Sequence, residues 1–74
     1  MSLAFEVTLE DVQNVLMDSV EKYSEEEMED MFDSLDFHSI EEAALSYLEF
    51  DEQVESAYSE IKSQLSSNFQ VVFK

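Results

Sequence analysis

The chain has no glycine, no proline, no cysteine and no tryptophan, and its only cations are three lysines. Each absence excludes something. Without cysteine there is no disulfide framework and no thiolate chemistry. Without glycine there is no phosphate-cradling loop, and a turn that needs positive φ falls to Asn or Asp. Without glycine or proline, breaks between elements must be made by capping residues. Without arginine there is no bidentate phosphate clamp, which weighs against phosphoryl transfer. No apolar run approaches the ~20 residues of a membrane span. No basic stretch precedes an apolar core at the N-terminus, so no secretory leader is expected. The expectation is a cytoplasmic protein.

What is abundant is acid. Nineteen Asp and Glu residues stand against the three lysines, a formal net charge of -16 over 74 residues. That exceeds what solubility requires, and self-repulsion at this density destabilises a compact state. The field repels bare nucleic acid and anionic membranes at long range. A basic protein surface is its natural partner. High net charge also favours disorder. The hydrophobic content of 45%, with six Phe and three Tyr, opposes it. Those residues are patterned, and one small ordered domain over residues 1–74 is expected, close to the lower size limit for folding alone.

Leu3 to Thr8 alternates, with Leu3, Phe5 and Val7 on one side, which predicts a half-buried strand. Thr8 with Asp11 reads as a variant capping box opening a helix to about Tyr23, whose stripe is Leu9, Val12, Leu16, Val20 and Tyr23. Ser24 with Glu27 is a second capping box, before Met28, Met31, Phe32 and Leu35. Ser39 with Glu42 is a third, before Ile40, Ala43, Ala44, Tyr47 and Leu48. A break near Phe50-Asp51, with Asp51 as cap, separates this from a helix carrying Val54, Ala57, Tyr58, Ile61 and Leu65. One continuous helix over 40–66 is the competing reading. Ser66-Ser67-Asn68 reads as a loop, and Phe69 to Lys74 alternates as a second strand. The expected fold is therefore α+β, with three or four short helices flanked by N- and C-terminal strands in the order β-α-α-α(-α)-β. A two-stranded sheet alone is marginal in water, so these strands must pack on the helices or pair with a second copy. A homodimer through a terminal strand is one expectation.

The acid is densest from Ser24 to Asp36. Glu25, Glu29 and Asp33 stand at successive i,i+4 steps, and Glu26 and Asp30 form a second row. Neighbours in such rows lie about 6 Å apart, and like charges there cost roughly 0.2–0.5 kcal/mol per pair. The spacing is similar to that of successive phosphates along a nucleic-acid strand. Glu25, Glu26, Glu29, Asp30 and Asp33 are the candidate partner-binding residues. The plainer alternative is a solvated helix face.

Catalysis finds little support. Asp30 to Glu41 has the twelve-residue span of a calcium loop, but Phe32 and Leu35 occupy the third and sixth positions, where a ligand and a glycine are required. Paired carboxylates need a sugar-sized cleft, which a short helical chain rarely builds. His38, the single histidine, has acidic neighbours but no oxyanion hole or substrate pocket in prospect. No enzyme activity, metal or cofactor is expected.

Asp33-Ser34-Leu35-Asp36 resembles the motif of acyl carrier proteins. In that family the serine at the start of a helix carries a phosphopantetheine arm. The family's members are also short, acidic and helical. The resemblance implies Ser34 as the attachment site and the following acidic helix as the docking surface. Met31 stands where the family has glycine, the long loop before the motif is absent, and terminal strands have no counterpart there.

The leading expectation is an acidic protein-binding inhibitor or modulator, a nucleic-acid mimic that docks on a basic, nucleic-acid-binding protein without touching nucleic acid or membrane itself. Its composition is similar to that of small phage and mobile-element proteins that antagonise host functions. The alternatives are an acyl-carrier-like protein and a structural homo-oligomer.

Overall fold

The computed structural model describes residues 6–74, and among them the chain is all-helical. The helices are α1 (Leu9–Leu16), α2 (Glu25–Asp33), α3 (Phe37–Leu45) and α4 (Phe50–Phe69). Among the described residues no sheet forms, and the expected α+β architecture is overturned. Of the predicted N-terminal strand, Leu3 to Phe5 lie outside the described residues, and Glu6 to Thr8 enter α1 without strand pairing. Of the predicted C-terminal strand, Phe69 is the last residue of α4. The tail beyond it makes one antiparallel bridge, Ser19 to Phe73. That bridge carries two bonds, Val20 N–H to the Val72 carbonyl and Lys74 N–H to the Asp18 carbonyl, both 2.8 Å. The alternation of Phe69, Val71 and Phe73 reflects something smaller than a strand. Val71 is buried beneath the end of α4, while Val72 faces out.

Helix α1 starts at Thr8, whose backbone N–H donates to the Asp11 carboxylate at 2.8 Å. It stops at Leu16, well short of Tyr23. The reason is Ser19, which is buried and competes for helix carbonyls. Its hydroxyl sits between the carbonyl oxygens of Leu16 and Glu21. The preceding turn tightens to i→i+3 bonds, Asp18 to Val15 and Ser19 to Leu16. Val20, expected on the apolar stripe, is instead 59% exposed and pairs with the tail.

The cap of α2 is the reciprocal box that its sequence predicts. Glu27 N–H donates to Ser24 Oγ at 3.2 Å, and Ser24 N–H donates to Glu27 Oε1 at 3.3 Å. Three glutamates in the first turn suit the positive end of the helix dipole. The start of α3 differs from expectation. Asp36, not Ser39, is the N-cap, and its carboxylate accepts from Ser39 N–H at 3.3 Å and Ser39 Oγ at 2.9 Å. These bonds, the hydroxyl's first, hold the Asp36 carboxyl below its ordinary value. Starting the helix one turn earlier brings Phe37 edge-on to Phe32, with ring centroids 5.4 Å apart.

Residues 46–49 interrupt the chain, so 40–66 is two helices, with Glu49 rather than Asp51 at the N-cap of α4. The expected loop at Ser66-Ser67-Asn68 is helix. Burying Ala57, Ile61 and Leu65 together keeps the last turns of α4 on the core. Its end is made by Gln70 in the left-handed region, φ 57°, with the N–H donating to the Leu65 carbonyl. Glycine usually occupies that position, and a chain without glycine uses Gln70 where Asn or Asp was expected.

Helix α4 packs most extensively on α3, and α1 lies across it. Ile40, Ile61, Leu65, Val12, Val15 and Val71 are the largest fully buried side chains. The radius of gyration is 11.8 Å, close to the ~11 Å typical of a folded chain of this length. The patterned hydrophobes therefore outweigh the charge.

Candidate protein-docking surface

Met31 is the buried residue of α2, and Met28 and Phe32 lean on the core beside it. A 3.6-residue period then turns the remaining positions outward. Glu25, Glu26, Glu29, Asp30 and Asp33 are all exposed. They share one helix, in two rows with neighbours about 6 Å apart. Glu27 is exposed as well, but its carboxylate is engaged in the cap.

Cations do not neutralise this face. Among the described residues Lys62 pairs with Asp18 at 3.2 Å, and His38 contacts Glu42 at 3.1 Å, an ion pair only with the imidazole protonated; neither involves α2. Of the three lysines, Lys62 lies by the bridge between the α1–α2 link and the tail, and Lys22 is the one nearest to α2 along the chain. Lys62 pairs with Asp18 and lies 5.5 Å from the centroid of the Phe73 ring. Lys74 is in the tail, and Lys22 is in the link. Among the described residues no lysine forms an ion pair with α2. Sequence reasoning missed the Lys62–Asp18 pair, because the two residues meet only when α4 folds back on the α1–α2 link.

Ser34 is exposed at the C-terminal end of α2, its hydroxyl donating to the Asp30 carbonyl at 2.9 Å. The carrier resemblance implies a serine at the start of a helix, and α3 begins only at Phe37. His38 lies on the surface of α3 beside Glu42. Among the described residues no group of three or more His, Asp or Glu is placed to hold a metal ion. No helix there is long and apolar enough to cross a membrane.

Two polar ties join distant segments. Tyr58 Oη donates to Asp11 Oδ1 at 2.7 Å, linking α4 to the cap of α1. Burial first, and the Asp11 contact next, push the Tyr58 hydroxyl above its ordinary value. Gln64 pairs with the Asp36 backbone in both directions, accepting from its N–H at 2.8 Å and donating to its carbonyl at 3.1 Å. Both ties had no signal in local pattern. An open groove of about 400 Å³ lies between α1 and α4, lined by Asn14, Asp18, Val54, Tyr58 and Lys62. Its rim is bridged by the Lys62–Asp18 pair.

No protein-family model, no curated protein and no solved structure matches this chain.

Proposed function

We propose that this protein is an acidic inhibitor or modulator that occupies a basic, nucleic-acid-binding surface on another protein in the cytoplasm. The observation that carries the reading is the α2 face. Glu25, Glu26, Glu29, Asp30 and Asp33 are exposed on one helix, and none is ion-paired among the described residues. Like charges held together at a cost to the folded state favour a surface whose compensation comes from outside. Rows of carboxylates on a rigid helix imitate a phosphate backbone, and long-range attraction makes association fast and salt-sensitive.

The test is displacement. Basic proteins bound to immobilised duplex DNA are expected to elute when the wild-type chain is added, and free duplex DNA is expected to compete. Glu25→Gln, Glu29→Gln and Asp33→Gln made together should abolish elution. Unchanged elution by that triple variant removes α2 from the interface.

A second reading, a homo-oligomer through the C-terminal tail, draws on a specific feature. Among the described residues the tail pairs along one edge, at the Ser19–Phe73 bridge, and Val20 and Val72 beside that bridge are exposed. Sedimentation as a monomer at high protein concentration would eliminate it.

A further inference from the structure

We infer that the connection between α3 and α4 is the apolar anchor of the docking interface. In this assignment Leu48, with Tyr47 beside it, enters an apolar pocket rimmed by lysine or arginine on the partner. The inference rests on the proposed function above and adds a second contact region, chemically distinct from α2.

Leu48 is 93% exposed, more than any other large hydrophobic among the described residues, and Tyr47 is 43% exposed. Scattered exposed apolar residues are ordinary. This one differs because the backbone beneath it is held. Tyr47 N–H donates to the Ala44 carbonyl at 3.1 Å, and Gln53 N–H to the Glu49 carbonyl at 3.0 Å. Gln53 is buried, and its side-chain amide donates to the Tyr47 carbonyl at 3.0 Å. Ser46 Oγ closes the end of α3 on the Glu42 carbonyl at 3.2 Å. A four-residue link pinned on both sides presents Leu48 outward with little conformational entropy left to lose on binding.

The surroundings specify the occupant. Glu41, Glu42, Glu49, Asp51 and Glu52 are all exposed around the link. The nearest lysine in α4 is Lys62, roughly 18 Å along the helix from Phe50 at 1.5 Å per residue. A pocket complementary to this tip is apolar at its floor and positive at its rim. A second copy would bring like-charged rims together, and an anionic membrane is repelled. The remaining fit is a basic protein with an apolar depression, the sign of partner that α2 also selects.

Two synthetic probes separate anchor from charge: an 18-residue peptide with lysines on one helical face and leucines on the other, and polylysine of equal charge. Each is titrated into the full ¹⁵N-labelled chain. Polylysine is expected to shift α2. The amphipathic peptide is expected to shift the amides of residues 46–52 saturably and more strongly than polylysine does, because polylysine meets only the carboxylates there whereas the peptide also covers Leu48. Leu48→Ser should weaken the amphipathic peptide about ten- to hundred-fold, the loss expected for one buried leucine. The same substitution should leave polylysine binding, its salt dependence and the melting temperature unchanged, because the side chain touches solvent. Amides of 46–52 that the peptide shifts no more than polylysine does, or wild-type affinity in the Leu48 variant, overturn the anchor while an intact α2 response keeps the electrostatic reading. Absence of any α2 response to either probe overturns both. Concentration-dependent shifts at 46–52 without peptide overturn the anchor in favour of a second copy.

Discussion

Removing the Gln64 amide tests how the acidic helix is held. Its two bonds to the Asp36 backbone, 2.8 and 3.1 Å, tie the α2–α3 junction to α4 across 28 residues of sequence. Each such bond contributes about 0.5–1.5 kcal/mol net, so both together contribute ~1–3 kcal/mol. Asp36 is exposed, and water replaces part of the loss, which places Gln64→Ala in the lower half of that range. Alanine's better helix propensity returns a few tenths. A net loss of ~1 kcal/mol lowers the melting temperature of a domain this size by about 4–8 °C, measurable by circular dichroism. Gln64→Glu is the sharper variant. It retains an acceptor for the Asp36 N–H but loses the donor. It also sets a second carboxylate beside Glu60, whose Oε1 lies 3.2 Å from the present amide nitrogen. Glutamate should therefore be worse than alanine at low salt, and the gap should close as salt screens the pair. An alanine variant melting within about 1 °C of wild type, or a glutamate variant as stable as glutamine, would refute the reasoning.

Other outcomes follow from single positions. Gln70→Gly should stabilise by about 0.5–1 kcal/mol by relieving the left-handed backbone at the end of α4, read as a higher denaturant midpoint; a lower midpoint contradicts it. Asp36 has a folded-state value depressed below 3.8. Its contribution is present above that unfolded-state value and disappears as pH falls through the folded one. Asp36→Asn should therefore flatten the acid limb of the stability profile in that window, and an unaltered limb counts against the Asp36 cap. The melting temperature should rise from low to moderate salt, because a charge of -16 repels itself and only Asp18 and Glu42 have pairing partners among the described residues. A fall over that interval would show that self-repulsion is not the dominant electrostatic effect.

Much of the local structure is legible in the chain. Thr8 and Ser24 mark helix starts because capping is a matter of a few adjacent groups. The outward placement of Glu25, Glu26, Glu29, Asp30 and Asp33 follows from Met28, Met31 and Phe32 facing in. The errors arose where two local signals competed. Asp36 and Ser39 are both good caps, and the contacts of Phe37 with Phe32 and of Gln64 with the Asp36 backbone selected the earlier one. Ser66-Ser67-Asn68 has loop composition, yet the burial of Leu65 and the αL stop at Gln70 carry the helix through it.

The sequence by itself determined helix starts, the inward stripes and the excess of negative charge, since each depends on composition or on spacing within one turn. Tertiary structure alone decided three things. It reduced the C-terminal alternation to one bridge, because among the described residues the tail backbone pairs with the short α1–α2 link and with no strand. It brought Lys62 to Asp18 and the Phe73 ring and left the α2 carboxylates without an ion pair among the described residues, because α4 and the tail return to that link. It lifted Leu48 out of a helical stripe into solvent, because α3 ends at Leu45 and Gln53 pins the connection. Each depends on which segments meet in space, information that local spacing does not contain.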